Sequence, residues 1–572
     1  MPRLGLYNKT VRAICLFAIA AALHAAPAIF PLKDIRPGQK GIGKTVFSGT
    51  RVDEFQVEIL GVLENIGPRE SIILARLKGG PLASTGVMQG MSGSPVYIDG
   101  RIAGAVALAF PMAKDAIAGI RPIEEMLRVD PQPRTQLAAL PPRRPVMAEG
   151  QRLEEIATPV SFSGFTEATL EHFSKQLHDL GFDPRQGVAG GGNPEGKFGD
   201  PSQLQPGSMI SVELVSGDWS VGADGTVTLI DGDRIYAFGH RFLAEGPAEM
   251  PFARSEVLAL VPNLNASFKI SAAREWMGAI TEDRNTAISG VLRRRAALIP
   301  AEIRVAGRTY RMKMIQDRVM TPLITQMAIF SSIDETERSL GPSTFSVRGR
   351  VDFENGSLRL DNVYGGDVAA AISASTGIGS SLAYAVSSGF DALKVKNISL
   401  DIASVDRRSQ LQIAGLAAPR EVRPGDDLEI VVALTGENGA ENSKVVHYRV
   451  PVGAPAGTLF VTASDAASIN FLDLQSALGV PSRSPAQVLE LLNGIRPNNK
   501  AYVRISRMDA SFTEEGRDLP DPPPSLAMIL SRGQGSMVNL LNWRGSKVAE
   551  LEIAEGDNVV TGSKSVQVEV KP

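Results

Sequence analysis

The chain has 572 residues and carries 59 Lys and Arg against 62 Asp and Glu, a formal net charge of −3. This near balance argues against a strongly basic, nucleic-acid-binding surface. The length leaves room for about three or four domains. The 56 glycines and 37 prolines separate short apolar runs. This composition favours a mainly β, turn-rich protein over a helical bundle.

The first residues have the layout of a secretory signal peptide. Arg3, Lys9 and Arg12 precede a short apolar run over 13–22. Small residues that suit cleavage follow, at Ala25, Ala26 and Ala28. Because the apolar run is short for a membrane span, we predict a signal peptide over 1–28 and an exported protein, periplasmic or extracellular. An uncleaved membrane anchor is the alternative.

Cysteine and histidine usage limits the chemistry. The single cysteine, Cys15, lies inside the predicted signal peptide, so the mature chain would contain no disulfide, no catalytic thiolate and no cysteine-ligated zinc. The histidines beyond it show no His-Glu-x-x-His pattern and no tight cluster with acidic residues. We therefore predict neither a metal site nor a cofactor. These histidines are His172, His178, His240 and His447.

Residues 29–130 are predicted to form a β-rich segment built around one serine. Residues 89–94, here called the serine loop, read Gln-Gly-Met-Ser-Gly-Ser. They precede two apolar runs joined by Asp99-Gly100, a strong hairpin signal. Gly90 and Gly93 let the backbone fold sharply with its amides outward, which places the Ser92 hydroxyl beside oxyanion donors as acyl transfer requires. The alternative is a Gly/Ser turn that only joins strands.

The remaining predicted elements of 29–207 are conventional. Alternating patterns predict strands over 41–47, 54–63 and 71–77, and a short helix over 123–127. The region 131–207 is predicted as a linker: proline-rich over 131–145, helical over 165–180, and a glycine-rich loop over 187–207. We reject a phosphate cradle there, because no Gly-Lys-Ser/Thr follows the glycines.

Residues 208–404 contain a second β-turn-β unit. Two apolar runs flank Asp231-Gly232, and the second run ends on Gly239-His240. A lone histidine after a strand is usually a core or loop residue. Further elements of this region are predicted as strands over 211–215, 256–261 and 267–271, a hairpin over 300–315 around Ala306-Gly307, and helices over 325–333 and 368–385.

Residues 405–465 and 466–572 contain no recognisable catalytic or ligand-binding motif. Short strands separated by turns over 405–465 favour an immunoglobulin-like β-sandwich. Residues 466–572 are predicted as a small α+β region interrupted by a rigid proline-rich break at 520–524. Its predicted elements are a helix over 485–492 and strands over 501–505, 548–553 and 565–570.

Two motifs resemble a known family. Gly-Met-Ser-Gly-Ser-Pro followed by a hairpin and Gly104-Ala105-Val106 resembles the nucleophile motif of SpoIVB-type serine peptidases, and also the Gly-Asp-Ser-Gly-Gly-Pro loop of their trypsin-like relatives. The resemblance implies that Ser92 is the nucleophile, and that the amides of Gly90 and Ser92 form the oxyanion hole. It also implies that His240, on a Gly-His after a hairpin, is the general base. It further implies trypsin-like β-barrel lobes, a serine half over 29–130 and a histidine half over 208–404.

The chain departs from that family in two respects. The histidine follows the serine instead of preceding it, although a triad is a geometry that recurs in several chain orders. No Asp or Glu occurs from Ser71 to Met91, and Leu77 stands about where the family has its acid. Another carboxylate could substitute, with Asp283 as candidate and an exposed turn charge as its alternative interpretation. A Ser-His dyad and an inactive site are the other two outcomes.

These observations lead to one function and its rivals. The first is an exported serine endopeptidase that acts on a protein or peptide substrate through Ser92 and His240. The second is a catalytically inactive, peptidase-like protein of the cell envelope that binds peptides or proteins. A secreted esterase for small esters is a third. The substrate, the cleavage preference and the oligomeric state do not follow from the sequence, and no nucleic-acid partner is expected.

Overall fold

A computed structural model describes most of the chain beyond the predicted signal peptide. The described residues are 28–67, 69–128, 146–148, 151–187, 196–336, 343–366, 370–405, 409–436, 439–478, 482, 484–508, 511–514, 517–520, 523, 525–526, 528–529, 538–541 and 546–572. The predicted signal peptide up to residue 27, the linker 131–145 and part of the glycine-rich loop, 188–195, lie outside them. The described chain is mainly β, so the predicted fold class is confirmed.

The chain folds into two compact units, each built from two stretches of sequence. The first unit comprises Met1–Gly164 and Phe173–Ala297, and the second comprises Phe165–His172 and Leu298–Pro572. The serine loop and His240, which are separated in sequence, therefore belong to the same unit.

Six strands of the first unit close into an antiparallel barrel, the first barrel. They follow the order β1-β2-β3-β6-β5-β4, and β4 pairs back with β1. Their inward side chains, among them Phe55, Val57 and Ile120, form its core. Two short strands, β7 and β8, extend it beyond β5. The strands are β1 Lys40–Ser48, β2 Arg51–Gly67, β3 Glu70–Lys78, β4 Pro95–Ile98, β5 Arg101–Ala109, β6 Ile117–Pro122, β7 Val146–Ala148 and β8 Gln151–Glu155.

A second closed barrel, the second barrel, lies in the same unit. Its strands follow the order β11-β12-β13-β16-β15-β14, and β14 pairs back with β11. Beyond β12 the sheet continues through β9, which pairs in parallel with β10. The strands are β9 Thr158–Ser163, β10 Phe182–Gln186, β11 Met209–Gly217, β12 Ser220–Asp231, β13 Arg234–Ala237, β14 Gly246–Val261, β15 Phe268–Arg284 and β16 Ala287–Leu292.

Both hairpins that the sequence predicts next to the motifs are present, and the turn of the second is shifted by one residue. In the first, Asp99 (φ 49°) and Gly100 (φ 73°) both adopt the left-handed conformation that a two-residue hairpin turn requires. In the second, Asp231 still pairs with Arg234. The predicted Asp231-Gly232 turn is therefore wrong by one residue, and the turn is Gly232-Asp233.

The second unit contains a mixed sheet and a β-sandwich. The mixed sheet has β17 Leu298–Val305, β18 Arg308–Ile315, β19 Ser343–Phe353, β20 Ser357–Gly366 and β21 Val395–Val405. The remaining strands are β22 Gln410–Ala417, β23 Glu421–Val422, β24 Asp427–Gly436, β25 Glu441–Arg449, β26 Gly457–Asp465, β27 Lys500–Arg507, β28 Ser511–Glu514, β29 Arg517–Pro520, β30 Val538–Leu541, β31 Ser546–Ala554, β32 Val559–Thr561 and β33 Ser563–Val570.

The sandwich core draws on both C-terminal regions. One sheet contains β22, β24, β25 and β32, and the other contains β23, β26, β27, β31 and β33. Their buried side chains, such as Leu428, Val461, Val503 and Val568, form one apolar cluster. Residues on either side of position 465, where we predicted a boundary, therefore share a core. The immunoglobulin-like character of the sandwich stays a prediction.

Helices are few in this β-rich chain. The predicted helices over 123–127, 165–180, 325–333, 368–385 and 485–492 are all confirmed, with shifted ends. Among the described residues, none of the helices combines the length and apolar character that a membrane span requires. The α-helices are Leu82–Thr85, Ile123–Met126, Glu167–Asp179, Met320–Thr336, Ala370–Ser387, Ala466–Leu478 and Pro485–Asn493, and the 3₁₀ helices are Leu32–Asp34, Pro201–Gln203 and Asp391–Leu393.

Candidate functional site

The serine loop is bound to the second barrel through its carbonyl groups. The Thr226 amide donates to the Ser92 carbonyl at 2.9 Å. The Thr226 hydroxyl donates to the Gly90 carbonyl at 2.8 Å, and the Thr228 hydroxyl donates to the Gly93 carbonyl at 2.7 Å. Both threonines lie on β12, the strand that turns into β13 and leads to His240. Strand β12 of the second barrel therefore fixes the serine loop, which leads into the β4–β5 hairpin of the first barrel.

Gly93 brings the loop against the segment before His240. Its φ is +93°, and a Cβ at this position would lie 2.0 Å from the Thr226 carbonyl oxygen and 2.5 Å from the Phe238 nitrogen. Its amide donates to the Val106 carbonyl at 2.7 Å. Gly239 in turn packs on β5, close to the side chain of Ala107 and the carbonyl of Val106. The serine and histidine motifs are therefore in contact, despite their inverted order.

The loop leaves alternate amides unused. The amides of Met91, Gly93 and Ser94 donate to carbonyls at 3.1, 2.7 and 2.9 Å. The amides of Gly90 and Ser92 make no hydrogen bond to any other described residue. These two are the oxyanion donors that the resemblance implies.

The Ser92 side chain is enclosed. Its exposed fraction is 0%, as is that of His240. Within the described ranges the Ser92 hydroxyl has no hydrogen-bond partner, so it is not bonded to His240 in this conformation. The fold brings the two motifs together, but the Ser92–His240 pairing itself stays a prediction.

His240 is held by a main-chain carbonyl. Its Nδ1 lies 2.8 Å from the carbonyl oxygen of Arg241. Because a carbonyl can only accept, Nδ1 carries the proton and donates it, and in the neutral ring Nε2 is then the basic nitrogen. This is the tautomer that a general base acting through Nε2 needs. In a serine protease triad a carboxylate occupies the position of this carbonyl.

Asp283 supports the chain directly after His240. Its carboxylate accepts hydrogen bonds from the amides of Phe242, Leu243 and Ala244 at 2.8, 2.6 and 2.8 Å. Only 1% of the residue is exposed, because β15 pairs with β14 and β16 at this point. The alternative interpretation of Asp283 as an exposed turn charge is therefore wrong. Its hydrogen bonds fix the backbone that follows the histidine.

The second barrel also contains a buried polar cluster that no sequence motif predicted. Asp224 on β12 accepts from the Ser255 hydroxyl at 3.2 Å and the Ser271 hydroxyl at 2.8 Å. Burial raises the pKa of Asp224 to about 6, although these hydroxyls and the charge of Lys269 act in the opposite direction. Burial lowers the pKa of Lys269 to about 7, while the charge of Asp224 opposes the shift.

Glu213 on β11 completes this cluster. Burial raises the pKa of Glu213 to about 8; the neighbouring Ser211 hydroxyl opposes this shift, and the Asp224 charge adds to it. Ser211 is close, yet no hydrogen bond of good geometry from a described residue reaches either carboxyl oxygen of Glu213. All five residues of the predicted strand 211–215 are buried.

No described group of three or more His, Cys, Asp or Glu side chains is arranged to hold a metal ion.

Comparison with known proteins identifies one family. Residues 10–127 match the family model of SpoIVB peptidase S55. The match contains the first barrel and Ser92, and it ends well before His240. Searches of curated proteins and of solved structures returned no match. The resemblance to SpoIVB-type peptidases is thus confirmed for the serine half, which supports a serine peptidase of this general kind.

We expect Gly93→Ala to disrupt the contact between the two motifs. The new Cβ would collide with β12 and with Phe238, in addition to the strain of a positive φ. Gly100→Ala is the matched control, because Gly100 has φ +73° but open space around it. The control should cost about 1–2 kcal/mol of unfolding free energy in urea titrations. Gly93→Ala should cost at least ~2 kcal/mol more, and equal losses would contradict the contact.

Glu213 should make the first unit less stable as pH rises. Between its ordinary pKa of 4.5 and its folded pKa of about 8, the folded chain holds a proton that the unfolded chain has released. Unfolding is then favoured progressively up to pH 8, by a few kcal/mol in total, on the order expected for such a shift. Glu213→Gln should remove this loss in urea titrations at pH 5 and pH 8. The control is Glu441→Gln, at an exposed strand position, which should leave the pH dependence of stability as it is in the wild type. If Glu213→Gln also keeps the wild-type pH dependence, the raised pKa of Glu213 is refuted.

Proposed function

We propose that the protein is an exported serine endopeptidase in which Ser92 attacks the peptide carbonyl and His240 transfers the protons. One observation carries the proposal: the serine loop is hydrogen-bonded to β12 and packs on the segment that leads into His240. The match of the serine half to SpoIVB peptidase S55 supports the same activity. Two closed barrels in one unit provide the junction at which such a site forms in trypsin-like enzymes.

The proposed reaction uses groups already in place. The Ser92 hydroxyl adds to the carbonyl carbon while its proton passes to Nε2 of His240. The negative charge that develops on the carbonyl oxygen is stabilised by the amides of Gly90 and Ser92. When the carbon–nitrogen bond breaks, His240 returns the proton to the leaving amine. Water then attacks the acyl-serine, again with His240 as base, and releases the acid and the free hydroxyl.

A backbone carbonyl replaces the third catalytic group in this proposal. The Arg241 carbonyl fixes the tautomer of His240, but unlike a carboxylate it does not supply a full negative charge to the imidazolium. Disabling the carboxylate of a trypsin-type triad lowers turnover by about 10⁴-fold. We therefore expect a slow enzyme. Asp283 contributes by holding residues 242–244, and with them the Arg241 carbonyl, in position.

The burial of both side chains implies a closed resting conformation. Ser92 and His240 have no exposed surface, so a polypeptide substrate cannot reach them without a rearrangement at the barrel junction. In the proposed cycle, opening of this junction precedes acylation and brings the hydroxyl within hydrogen-bond distance of Nε2.

The rival function is a peptidase-like scaffold that binds peptides without cleaving them. The enclosed serine favours this second candidate, as does the absence of a hydrogen bond between its hydroxyl and any described residue. It shares the fold and the export signal with the first candidate and differs only in chemistry, so one reactivity experiment separates them.

A fluorophosphonate probe should label the purified mature protein at Ser92, because the probe requires an activated serine and an oxyanion site. Ser92→Ala should abolish labelling, and His240→Ala should slow it by about 10²-fold or more through loss of the general base. The labelling rate and the modified peptide would be measured by mass spectrometry.

Ser94→Ala is the matched control, since Ser94 lies in the same motif, is equally buried and has no proposed role. Its labelling should equal that of the wild type. A folded wild-type protein that remains unlabelled would exclude the peptidase and leave the peptide-binding scaffold.

Export is proposed from the basic and apolar pattern of residues 1–28. When the full chain is expressed in a secreting bacterium, we expect a mature N-terminus directly after Ala25, Ala26 or Ala28, detected by mass spectrometry of the extracytoplasmic fraction. Leu16→Arg should block processing, because a charge interrupts the apolar run. An intact N-terminus on protein retained in the cytoplasm would contradict the proposal.

A further inference from the structure

Lys269 is a buried cation at the junction of the two barrels. Lys269 is 2% exposed, and its Nζ donates a hydrogen bond to the Thr45 hydroxyl at 2.8 Å. Thr45 lies on β1 of the first barrel, whereas Lys269 lies on β15 of the second. An ammonium group in an apolar interior is costly unless it is hydrogen-bonded and its charge is balanced. The contact therefore makes a polar link between the two barrels.

The aliphatic part of the same side chain packs against the serine loop. A Cβ at position 90 would lie 3.2 Å from Cδ and 3.4 Å from Cγ of Lys269. The backbone is also joined at this point, because Gln89 pairs with Phe268 and its amide donates to the Ser267 carbonyl at 2.9 Å. The Lys269 stem thus forms one wall of the space occupied by Gly90, whose φ is +87°.

Asp224 is the acid whose charge favours the ammonium form of Lys269. It lies on β12 and attracts Lys269 electrostatically. Two residues further along β12, Thr226 holds the carbonyls of Ser92 and Gly90. The acid and the amine therefore sit on the two strands that contact the serine loop.

We propose that Lys269 is a positioning residue for the serine loop, with its ammonium anchored by the Thr45 hydroxyl so that its stem holds the Gly90 backbone in the oxyanion geometry. This inference rests on the proposed function, because it assigns Lys269 a role in the same site. Lys269 acts through Gly90 and does not touch the substrate.

The charge of Lys269 gives this role a pH dependence. The ammonium is charged below its pKa of about 7 and loses its attraction to Asp224 above it. The groups that act on it are the Thr45 hydroxyl on β1, through a hydrogen bond, and the charge of Asp224 on β12, which is present above a pKa of about 6. Glu213 on β11 acts on Asp224 and stays protonated up to a pKa of about 8.

The test compares Lys269→Met, Thr45→Val and the double variant. Methionine keeps most of the stem but removes the charge, and valine keeps the shape of threonine but removes the acceptor. Lys44→Met is the control, because Lys44 neighbours Thr45 on β1 but its side chain is more than a third exposed. Each protein is measured by hydrogen exchange of peptides covering 88–95 and by the rate of fluorophosphonate labelling at Ser92.

Lys269→Met should accelerate exchange in the serine loop severalfold and slow labelling roughly 10- to 100-fold, the order expected when a catalytic group is misplaced. Thr45→Val should act in the same direction. The double variant should match Lys269→Met, since both changes break the same hydrogen bond between Lys269 and Thr45. Between pH 6 and pH 8.5 wild-type labelling should decline on the alkaline side, and Lys269→Met should lack this decline.

Unchanged exchange in Lys269→Met, additive effects in the double variant, or a pH profile shared with the wild type would each overturn the inference. Faster exchange with unaltered labelling would also overturn it, since Lys269 would then stabilise the loop without positioning it. A folded wild-type protein that is never labelled would overturn the peptidase proposal and, with it, the catalytic role. Loop exchange would still decide separately whether Lys269 holds Gly90.

Discussion

The site depends on three hydrogen bonds from β12 to the carbonyls of the serine loop. They come from the amide and hydroxyl of Thr226 and the hydroxyl of Thr228. These bonds fix the peptide units that contain the amides of Met91, Gly93 and Ser94, which donate to other carbonyls, while the amides of Gly90 and Ser92 belong to the other peptide units of the loop. The same strand turns into β13 and delivers His240. A single strand therefore sets both the loop that carries the serine and the approach of the histidine.

Closure of each barrel explains why the inverted motif order is structurally harmless. Each six-stranded barrel closes on itself, the first through β4 and β1 and the second through β14 and β11, so neither needs a strand of the other to complete its ring. The contact between the motifs then depends only on which faces of the barrels meet, not on which barrel comes first in the chain. Gly93 and Gly239 make this meeting possible, since each packs its backbone directly on the other half. The inverted order therefore gives no independent argument against a Ser-His pair.

Local sequence patterns predicted the strands, turns and helices around the site, whereas its side-chain pairings depend on tertiary contacts. The Asp99-Gly100 hairpin and the long helices follow from turn chemistry and periodicity, which act over a few residues. Thr226 meets Gly90 across 136 positions of sequence, and Asp283 meets Phe242 across 41. No local pattern encodes such pairings. Glu213 gave no local signal of its burial, because polar and apolar residues that alternate over 211–214 are typical of a half-buried strand, whereas both faces of β11 are buried in the fold.

The charges near the serine loop also bear on the carboxylate that SpoIVB-type peptidases have before their serine and that this chain lacks. In a triad, the carboxylate both fixes the tautomer of the histidine and stabilises its charged form. Here the Arg241 carbonyl meets the first requirement, while the charge of Asp224 acts on the buried Lys269 ammonium. A buried pair of this kind contributes little net stability, since desolvation offsets its attraction. The reason to connect Lys269 with the serine loop is therefore the packing of its side chain against Gly90, and not the free energy that the pair contributes to folding.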